Sequence, residues 1–552
     1  LQNNSRLQSS VEQPAPSRGR LILVSLLILI FLGQCAWFIR TQSITNDEPE
    51  HIVAGLEAWR FGEFEHWMDQ PPLARLLFVL PMLNTDWKYS YPGQQVHPES
   101  PGPEVWLYRT RPVNVLLGVG LLLLLWSTAR KLFSDDAAIS VLALAVLSPD
   151  LIAHFSLAAI DGAGCLFLFA SVVQWMRYRA NQSRAQMALL GVVMGCLLLA
   201  KFNSPPLVAL LLGMVLISTS SGVTFRPRRF AWRRTAAIAL IACMVVWAGY
   251  FFHVSQVTFA NQMVTIHFAG YTKLLQYEMP TLKTPITIFL PACEWMTGLG
   301  EVLEHNVEGH RSFLLGHYSA DGFRLYFPAA ILLKWPVIVL FLSIVGGALV
   351  VLRKLPRGRE LMLMNIFPAV YLAFAISSHI DIGVRHVLPV YPFLLLYAGA
   401  VWEWGRGFRW MPWVLASLLV AQAADIARYA PDYLSYFTVF VKPADTWTLL
   451  SDSNTDWGQG MVALKKYQQE HPNELIHLVY VGEADPSWSG IRYMRMTEDE
   501  HPSGTVVVSA TDLSGQLLKN HYAYRWLLRY PVKAVLNHTL YVFEVPEDAR
   551  KP

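Results

Sequence analysis

The chain has 552 residues, of which 53% are hydrophobic and only 15% charged. A soluble globular chain carries about 25% charged residues, so this one lacks the polar surface to enclose a water-soluble body of its size, and a membrane protein is expected. The formal net charge of +4 says less than the placement of the charges, and no nucleic-acid partner is expected.

Eleven apolar segments are candidate spans: 21–38, 112–129, 137–150, 160–176, 186–200, 206–220, 235–252, 327–351, 361–376, 387–402 and 410–426. A bilayer core about 30 Å thick needs about 17–25 apolar residues of helix, and the third and fifth segments are short for it. The first follows Arg18 and Arg20 and has no small-residue cleavage site after it, so it reads as a retained signal anchor. Lys and Arg placement sets the orientation. With the N-terminus inside, the inner segments hold Arg6, Arg18 and Arg20; Arg130 and Lys131; Arg177, Arg179 and Arg184; Arg226 to Arg234; Arg353 to Arg359; and Arg406 and Arg409. The short outer loops hold only Lys201 and Arg385. Fusing 186–220 into one broken helix would move Arg226–Arg234 outside, which the charge rule opposes. An inner N-terminus and eleven spans place the C-terminus outside.

Three outer regions exceed simple connectors: 39–111, 253–326 and the tail from about 430. Long loops in compact chains are functional or disordered, and these are rich in Trp, Tyr, His and apolar residues, which opposes disorder. In the first, 48–59 and 71–81 have helical apolar spacing but are too short to span, so both are expected to lie along the interface. In the second, Phe289 to Met296 is expected to do the same. The chain thus divides into a transmembrane unit, 1–429, and a small soluble α/β unit, 430–552. In the tail, 476–481, 505–510 and 539–545 are β-rich, 458–469 has helical spacing, and Pro472-Asn473 and Ser503-Gly504 mark turns. Four cysteines (Cys35, Cys165, Cys196, Cys243) lie in apolar stretches and Cys293 in the second outer loop. None has CxxC or Cys/His ligand spacing, so buried thiols are expected rather than a disulfide or zinc site.

Chemistry-bearing residues collect at the outer rim. Asp47 and Glu48 open the first interfacial segment, where carboxylates can simply cap a helix. His51 stands one helical turn beyond Asp47, and Gln70 and Arg75 open the next segment. Asp161 sits at the outer entrance of the fourth span, either as a headgroup-exposed cap or as a functional ionisable group with a partner inside the bundle; neighbouring His154 reads as an interfacial surface residue. Lys201 ends the fifth span, and Arg385-His386 precedes the tenth. These cations either snorkel to headgroups or face a phosphate. Together the groups fit one chemistry. A carboxylate takes a proton from an acceptor hydroxyl as it attacks a sugar carbon, and a departing phosphate needs cations rather than a protein acid. A long apolar carrier tail would explain a site built into a membrane protein.

Asn46-Asp47-Glu48-Pro49-Glu50-His51 and Gln70-Pro71-Pro72-Leu73-Ala74-Arg75 resemble the first outer loop of the protein O-mannosyltransferase-like group, glycosyltransferase family 39. Arg111-Pro112-Val113-Asn114, Ser148-Pro149, Asp161, Lys201-Phe202-Asn203-Ser204 and the 382–389 string around Arg385-His386 continue the match, as does Asp452 to Gln459, which resembles phospholipid-carrier-dependent bacterial members. The resemblance implies a polytopic α-helical membrane protein of the C-type glycosyltransferase (GT-C) fold and an inverting transfer from a polyprenyl-phosphate sugar donor to a protein, lipid or glycan acceptor. It places the site on the periplasmic side of a bacterial inner membrane. It implies Asp47 as catalytic base, Asp161 as a second acidic site residue, and Arg75, Lys201 and Arg385 as candidates for the carrier phosphate. Glu48, His51, Gln70 and His386 complete the expected substrate-binding set. The related pattern often has His where Gln70 stands, which leaves sugar and acceptor open. Some relatives of this fold use a divalent metal; no clear metal cage is visible in the sequence, so none is predicted and a divalent metal stays open. The 452–459 string is expected to form a turn, with Asp456 capping the helix that follows, the alternative being acceptor binding. A transporter or flippase, and a non-catalytic envelope protein, are the competing classes. The absence of a clear internal repeat and the rim position of the charges oppose the first.

Overall fold

In lipid, an apolar segment must pair its backbone groups internally, and each of the eleven candidate segments carries helix in the computed structural model of the protein. The structure describes residues 15–85, 89–90, 95–96, 103–219, 222–223, 231–260, 263–268, 272–276, 284–482 and 485–547; Arg6, Arg226, Arg228 and Arg229, assigned above to the inner side, lie outside the described residues. Among these residues, five helices are long and apolar enough to cross a membrane: Arg18–Thr41, Val105–Leu132, Ala231–Gly249, Gly358–Ile376 and Val384–Gly405. Arg184–Leu198, Pro205–Ile217 and Met411–Ala427 are apolar but shorter, and Asp161–Ala180 adds a helix of 20 residues. Arg184–Leu198 and Pro205–Ile217 are two separate helices.

Two expected straight spans are broken. Asp135–Val146 and Pro149–Phe155 meet at 65°, and Tyr326–Lys334 and Val337–Val351 at 114°. Length and composition therefore qualify five crossings, or seven with the bent pairs, rather than eleven straight spans. The cause is local. Ser148 (φ −110°, ψ 109°) and Trp335 (φ −91°, ψ 142°) are out of the helical region, because the proline ring that follows each disfavours a helical predecessor.

Close packing of small residues joins the helices. A side chain at Gly346 would collide with the Tyr397 carbonyl, so the Val337–Val351 and Tyr391–Gly405 helices meet backbone to backbone. At the basic end of the bundle, Arg20 pairs with Asp135 (2.8 Å) and Asp136 (3.0 Å), and Arg130 with Asp135 (2.5 Å). Cys35, Cys165 and Cys293 are buried, Cys196 is half-buried and, against expectation, Cys243 is exposed on an outward helix face.

The first outer loop forms the helices Glu48–Phe61 and Leu73–Phe78 where the apolar spacing places them. The second departs from expectation. Ile286–Pro291 is a strand, joined with Val254–Ala260, Met263–His267 and Thr272–Gln276 in an antiparallel sheet, and the helix begins only at Cys293. The alternating Ile286-Thr287-Ile288 suits a pleated surface better than a helix. In the tail, strands Ile476–Val479, Gly504–Ser509 and Leu540–Val545 occupy the three β-rich runs, and the helix is Met461–Glu470. Tyr493–Arg495 and Val532–Leu536 complete a five-stranded sheet. Ile476–Val479 is central to a parallel trio with Tyr493–Arg495 and Gly504–Ser509; the other pairings are antiparallel. The unit boundary at 429/430 does not follow the packing. Tyr433, Phe437, Leu450 and Trp457 belong to the same apolar core as the bundle helices, and the sheet's own core starts near Met461.

Candidate active site

Glu48 explains how the first outer loop is held. Its carboxylate is fully buried. It accepts from Arg111 Nε (2.8 Å) and Nη2 (2.7 Å), from the Thr45 amide (2.9 Å) and hydroxyl (3.0 Å), and from the Ala158 amide (2.8 Å). Arg111 spends its remaining donors on the carbonyls of Gln42 (2.9 Å) and Ser43 (2.6 Å). Burial alone would raise the Glu48 pKa, yet the charge and hydrogen bonds of Arg111, with the two amides, hold it below the ordinary value. Glu48 is therefore a structural clamp between the loop, the Pro103–Leu132 helix and the segment leading to Asp161. This revises its expected place among the substrate-binding residues, since its oxygens are fully engaged. Asn114 acts one turn along, donating to the carbonyls of His154 (2.9 Å) and Leu157 (2.6 Å) and fixing the turn before the Asp161–Ala180 helix. His154 is buried there, rather than lying on the interfacial surface.

Asp47 precedes this clamp at the start of the Glu48–Phe61 helix and makes no side-chain cap. Its carboxylate turns away from the helix, accepting from Arg385 Nη1 (2.7 Å) and from the Trp457 indole N–H (3.2 Å). Asp161 lies on the other side of Arg385. Its Oδ1 pairs with Lys201 Nζ at 2.5 Å, its Oδ2 is 3.7 Å from Arg385 Nη1, and that buried Oδ2 has no hydrogen-bond partner. Asp47, Arg385, Asp161 and Lys201 thus form one chain of alternating charge. The side chain of Asp47 is 28% exposed and that of Asp161 only 3%, so Asp47 is the more accessible of the two carboxylates.

The other expected residues surround this chain unequally. His51 is buried with an unpartnered Nδ1, within electrostatic reach of Arg75, Asp47, Asp161 and Arg385. Burial and then the Arg75 charge push its pKa down to about 3, so it stands as a neutral imidazole. Arg75 is buried and donates to the Trp67 carbonyl (2.7 Å), while its Nε and Nη2 have no partner; burial lowers its pKa to about 10. A side chain at Gly55 would strike the Arg75 carbonyl, so this glycine lets the two loop helices close up and sets the Arg75 backbone. Gln70 lines a small cavity beside Arg75 with Tyr250 and Glu294. Its amide donates to Asp69 (3.3 Å), and it does not touch the carboxylate chain. The His386 carbonyl accepts from Tyr371 (2.8 Å), whose hydroxyl also takes a hydrogen bond from Asn203 (2.5 Å). Among the described residues, no three His, Cys, Asp or Glu side chains gather as a metal cage.

The tail string contributes more than the turn expected of it. The Trp457 ring lies 3.9 Å beneath the Arg385 guanidinium, and the Trp457 carbonyl accepts from Asn46 (3.0 Å). Asn454 receives the Val384 amide (2.9 Å) and donates to Tyr326 (2.8 Å). Asp452 adopts φ 57°, and burial raises its pKa to about 6 although Arg385 opposes the rise. Asp456 does not cap the next helix. It accepts from the Gly458 amide (3.1 Å), and that helix starts behind Gly460 with no side-chain cap. An aromatic next to Gly and Gln in a turn carries no spacing signal, and only the order of the string within the resemblance pointed to it.

The fold and site define a polytopic helical membrane protein with paired carboxylates and cations at one end of its bundle. Residues 108–248, which include Arg111, Asn114, Asp161 and Lys201, match the family model of dolichyl-phosphate-mannose-protein mannosyltransferase, in keeping with the resemblance to glycosyltransferase family 39. No curated protein matches the sequence. Among solved structures the chain is similar to ArnT from Cupriavidus metallidurans bound to undecaprenyl phosphate, at TM-score 0.46 and 13% identity over 96% of this chain and 99% of that one. It is also similar to the S. cerevisiae protein O-mannosyltransferase Pmt1-Pmt2 complex bound to the sugar donor, at TM-score 0.47 and 11% identity over 76% and 90%. A third is the Archaeoglobus fulgidus oligosaccharyltransferase tethered with an acceptor peptide, at TM-score 0.42 and 11% identity over 75% and 54%. At these scores no residue role carries across.

Proposed function

We propose that the protein is an inverting GT-C glycosyltransferase that moves a sugar from a polyprenyl-phosphate carrier to an acceptor hydroxyl at the outer face of a bacterial inner membrane. The observation that carries this reading is the Asp47–Arg385–Asp161–Lys201 chain at the rim of the bundle. The end holding Arg20 and Arg130 faces the cytoplasm in this reading.

Asp47 accepts the acceptor's proton as the acceptor oxygen attacks the anomeric carbon. The bond from that carbon to the phosphate oxygen breaks on the opposite face, and its electron pair leaves with the phosphate. The growing charge on that oxygen is met by Arg385 and Lys201, held ready by carboxylate partners, while the unspent donors of Arg75 supply a further contact for the phosphate. Trp457 and Asp161 fix the Arg385 plane from two sides, so little rearrangement is needed as charge develops.

The test uses membranes containing the protein and a labelled polyprenyl-phosphate sugar. Label should pass to an acceptor fraction with the parent and stop with Asp47→Asn at equal abundance and melting temperature. Undiminished transfer by that variant would overturn the reading.

A further inference from the structure

The tail sheet holds a cavity of about 590 Å³ that the carboxylate chain does not use. It lies at the carboxyl ends of the parallel strands Ile476–Val479, Tyr493–Arg495 and Gly504–Ser509, the place where open α/β sheets take their ligands. Its volume falls in the range of about 300–1,000 Å³ that encloses small ligands. The wall combines Tyr480 and Tyr493 with Arg495, Glu498 and Asp512, and Asn46 closes one side. Asn46 is joined through its amide to the Trp457 carbonyl (3.0 Å), and the Trp457 indole reaches Asp47 (3.2 Å). The cavity and the proposed base are therefore separated by a single backbone step.

The lining chemistry selects among acceptors. Tyrosine faces cover the apolar C–H face of a sugar ring and keep a polar handle. Carboxylates accept from neighbouring hydroxyls, and a guanidinium donates to hydroxyl and ring oxygens. Asp485 and Glu498 outnumber Arg495 among the charged groups of the wall, which opposes an anionic headgroup. A peptide that pairs with a sheet would use the Tyr493–Arg495 edge, whereas this cavity opens at the strand ends.

We propose that this cavity is the acceptor subsite, and that the acceptor is an uncharged, hydroxyl-rich carbohydrate whose terminal sugar passes Asn46 to present one hydroxyl to Asp47. Its role as acceptor rests on the glycosyl-transfer reading above; its affinity for carbohydrate does not. The step balances as before: the hydroxyl proton goes to Asp47, its oxygen gains the anomeric carbon, and the carrier phosphate departs with the bonding pair.

The experiment uses the full chain in nanodiscs free of glycolipid and of sugar-based detergent. The probes are neutral methyl di- and trisaccharides of gluco, galacto and manno configuration, followed by saturation-transfer NMR, with a Ser/Thr-containing peptide as comparison. At least one saccharide should bind saturably. Tyr493→Ala, or Arg495→Gln at an exposed position, should weaken it tenfold or more. No saturable saccharide binding, binding equally strong in both cavity variants, or binding of the peptide alone would each overturn the inference. Saccharide binding lost in the cavity variants, beside transfer that survives Asp47→Asn, would overturn the proposed chemistry while leaving the carbohydrate site standing.

Discussion

Asp47 and Glu48 are adjacent in sequence and face different regions of the molecule. Around Glu48 every charge is buried and every oxygen satisfied: Arg111, Thr45 and Ala158 close on it and no solvent enters. Around Asp47 the pairing is looser, part-exposed and shared, with Arg385 serving two carboxylates and one oxygen of Asp161 left without a partner. The first arrangement suits a fixed anchor and the second a site that must exchange partners with substrate. Burial and donor count, rather than residue type, separate the two roles.

The widest effect is expected from breaking the clamp. Arg111→Ala strands a buried carboxylate, which costs about 3–5 kcal/mol; thermal unfolding of the purified chain should show a large loss of melting temperature, with activity falling as a consequence. Asp47→Asn attacks the other side of the comparison. Transfer should drop about 10²–10⁴-fold, the usual share of a general base, with melting unchanged, and a matching loss of stability would erase the distinction drawn here.

Titration sharpens the contrast within the stability of one chain. Glu48 has a lowered folded pKa, so the stability it contributes is present above its unfolded value and is lost only as pH falls through the folded one. Asp456 and Asp512, buried in the tail, are raised to about 6 and about 7, mainly by burial. They bind more protons folded than unfolded across roughly pH 4–7, so stability falls as pH rises through that window. Melting followed from pH 7 to pH 5 should therefore show a rise of roughly 2–4 kcal/mol, reduced by Asp512→Asn. The smallest effect belongs to Trp457→Phe, which keeps a ring under Arg385 but removes the N–H to Asp47. A hydrogen bond of this kind is worth about 0.5–1.5 kcal/mol, so kcat/KM should fall roughly three- to tenfold while acceptor-independent melting stays in place.

Much of this was legible in the chain and some was not. Apolar run lengths located the helices, and β-rich runs located three of the five tail strands, because both signals are local. Tyr493–Arg495 is too short to show a period, and Val532–Leu536 carries a Lys and an Ala that dilute its β signal. The bends at Ser148 and Trp335 were readable in principle from the prolines behind them, but hydropathy averages over a single residue.

Sequence by itself determined that the protein lives in a membrane, that its cations and acids collect at one rim, and that Asp47, Asp161, Lys201 and Arg385 are the groups to watch, since each is a charge set at the border of an apolar run. Only the tertiary structure decided that Glu48 belongs to Arg111, that Trp457 underlies Arg385 from a separate segment of the chain, and that a cavity in the tail abuts Asn46. Partner choice among charges depends on which segments meet in space, and no local pattern encodes a contact between residues 338 positions apart.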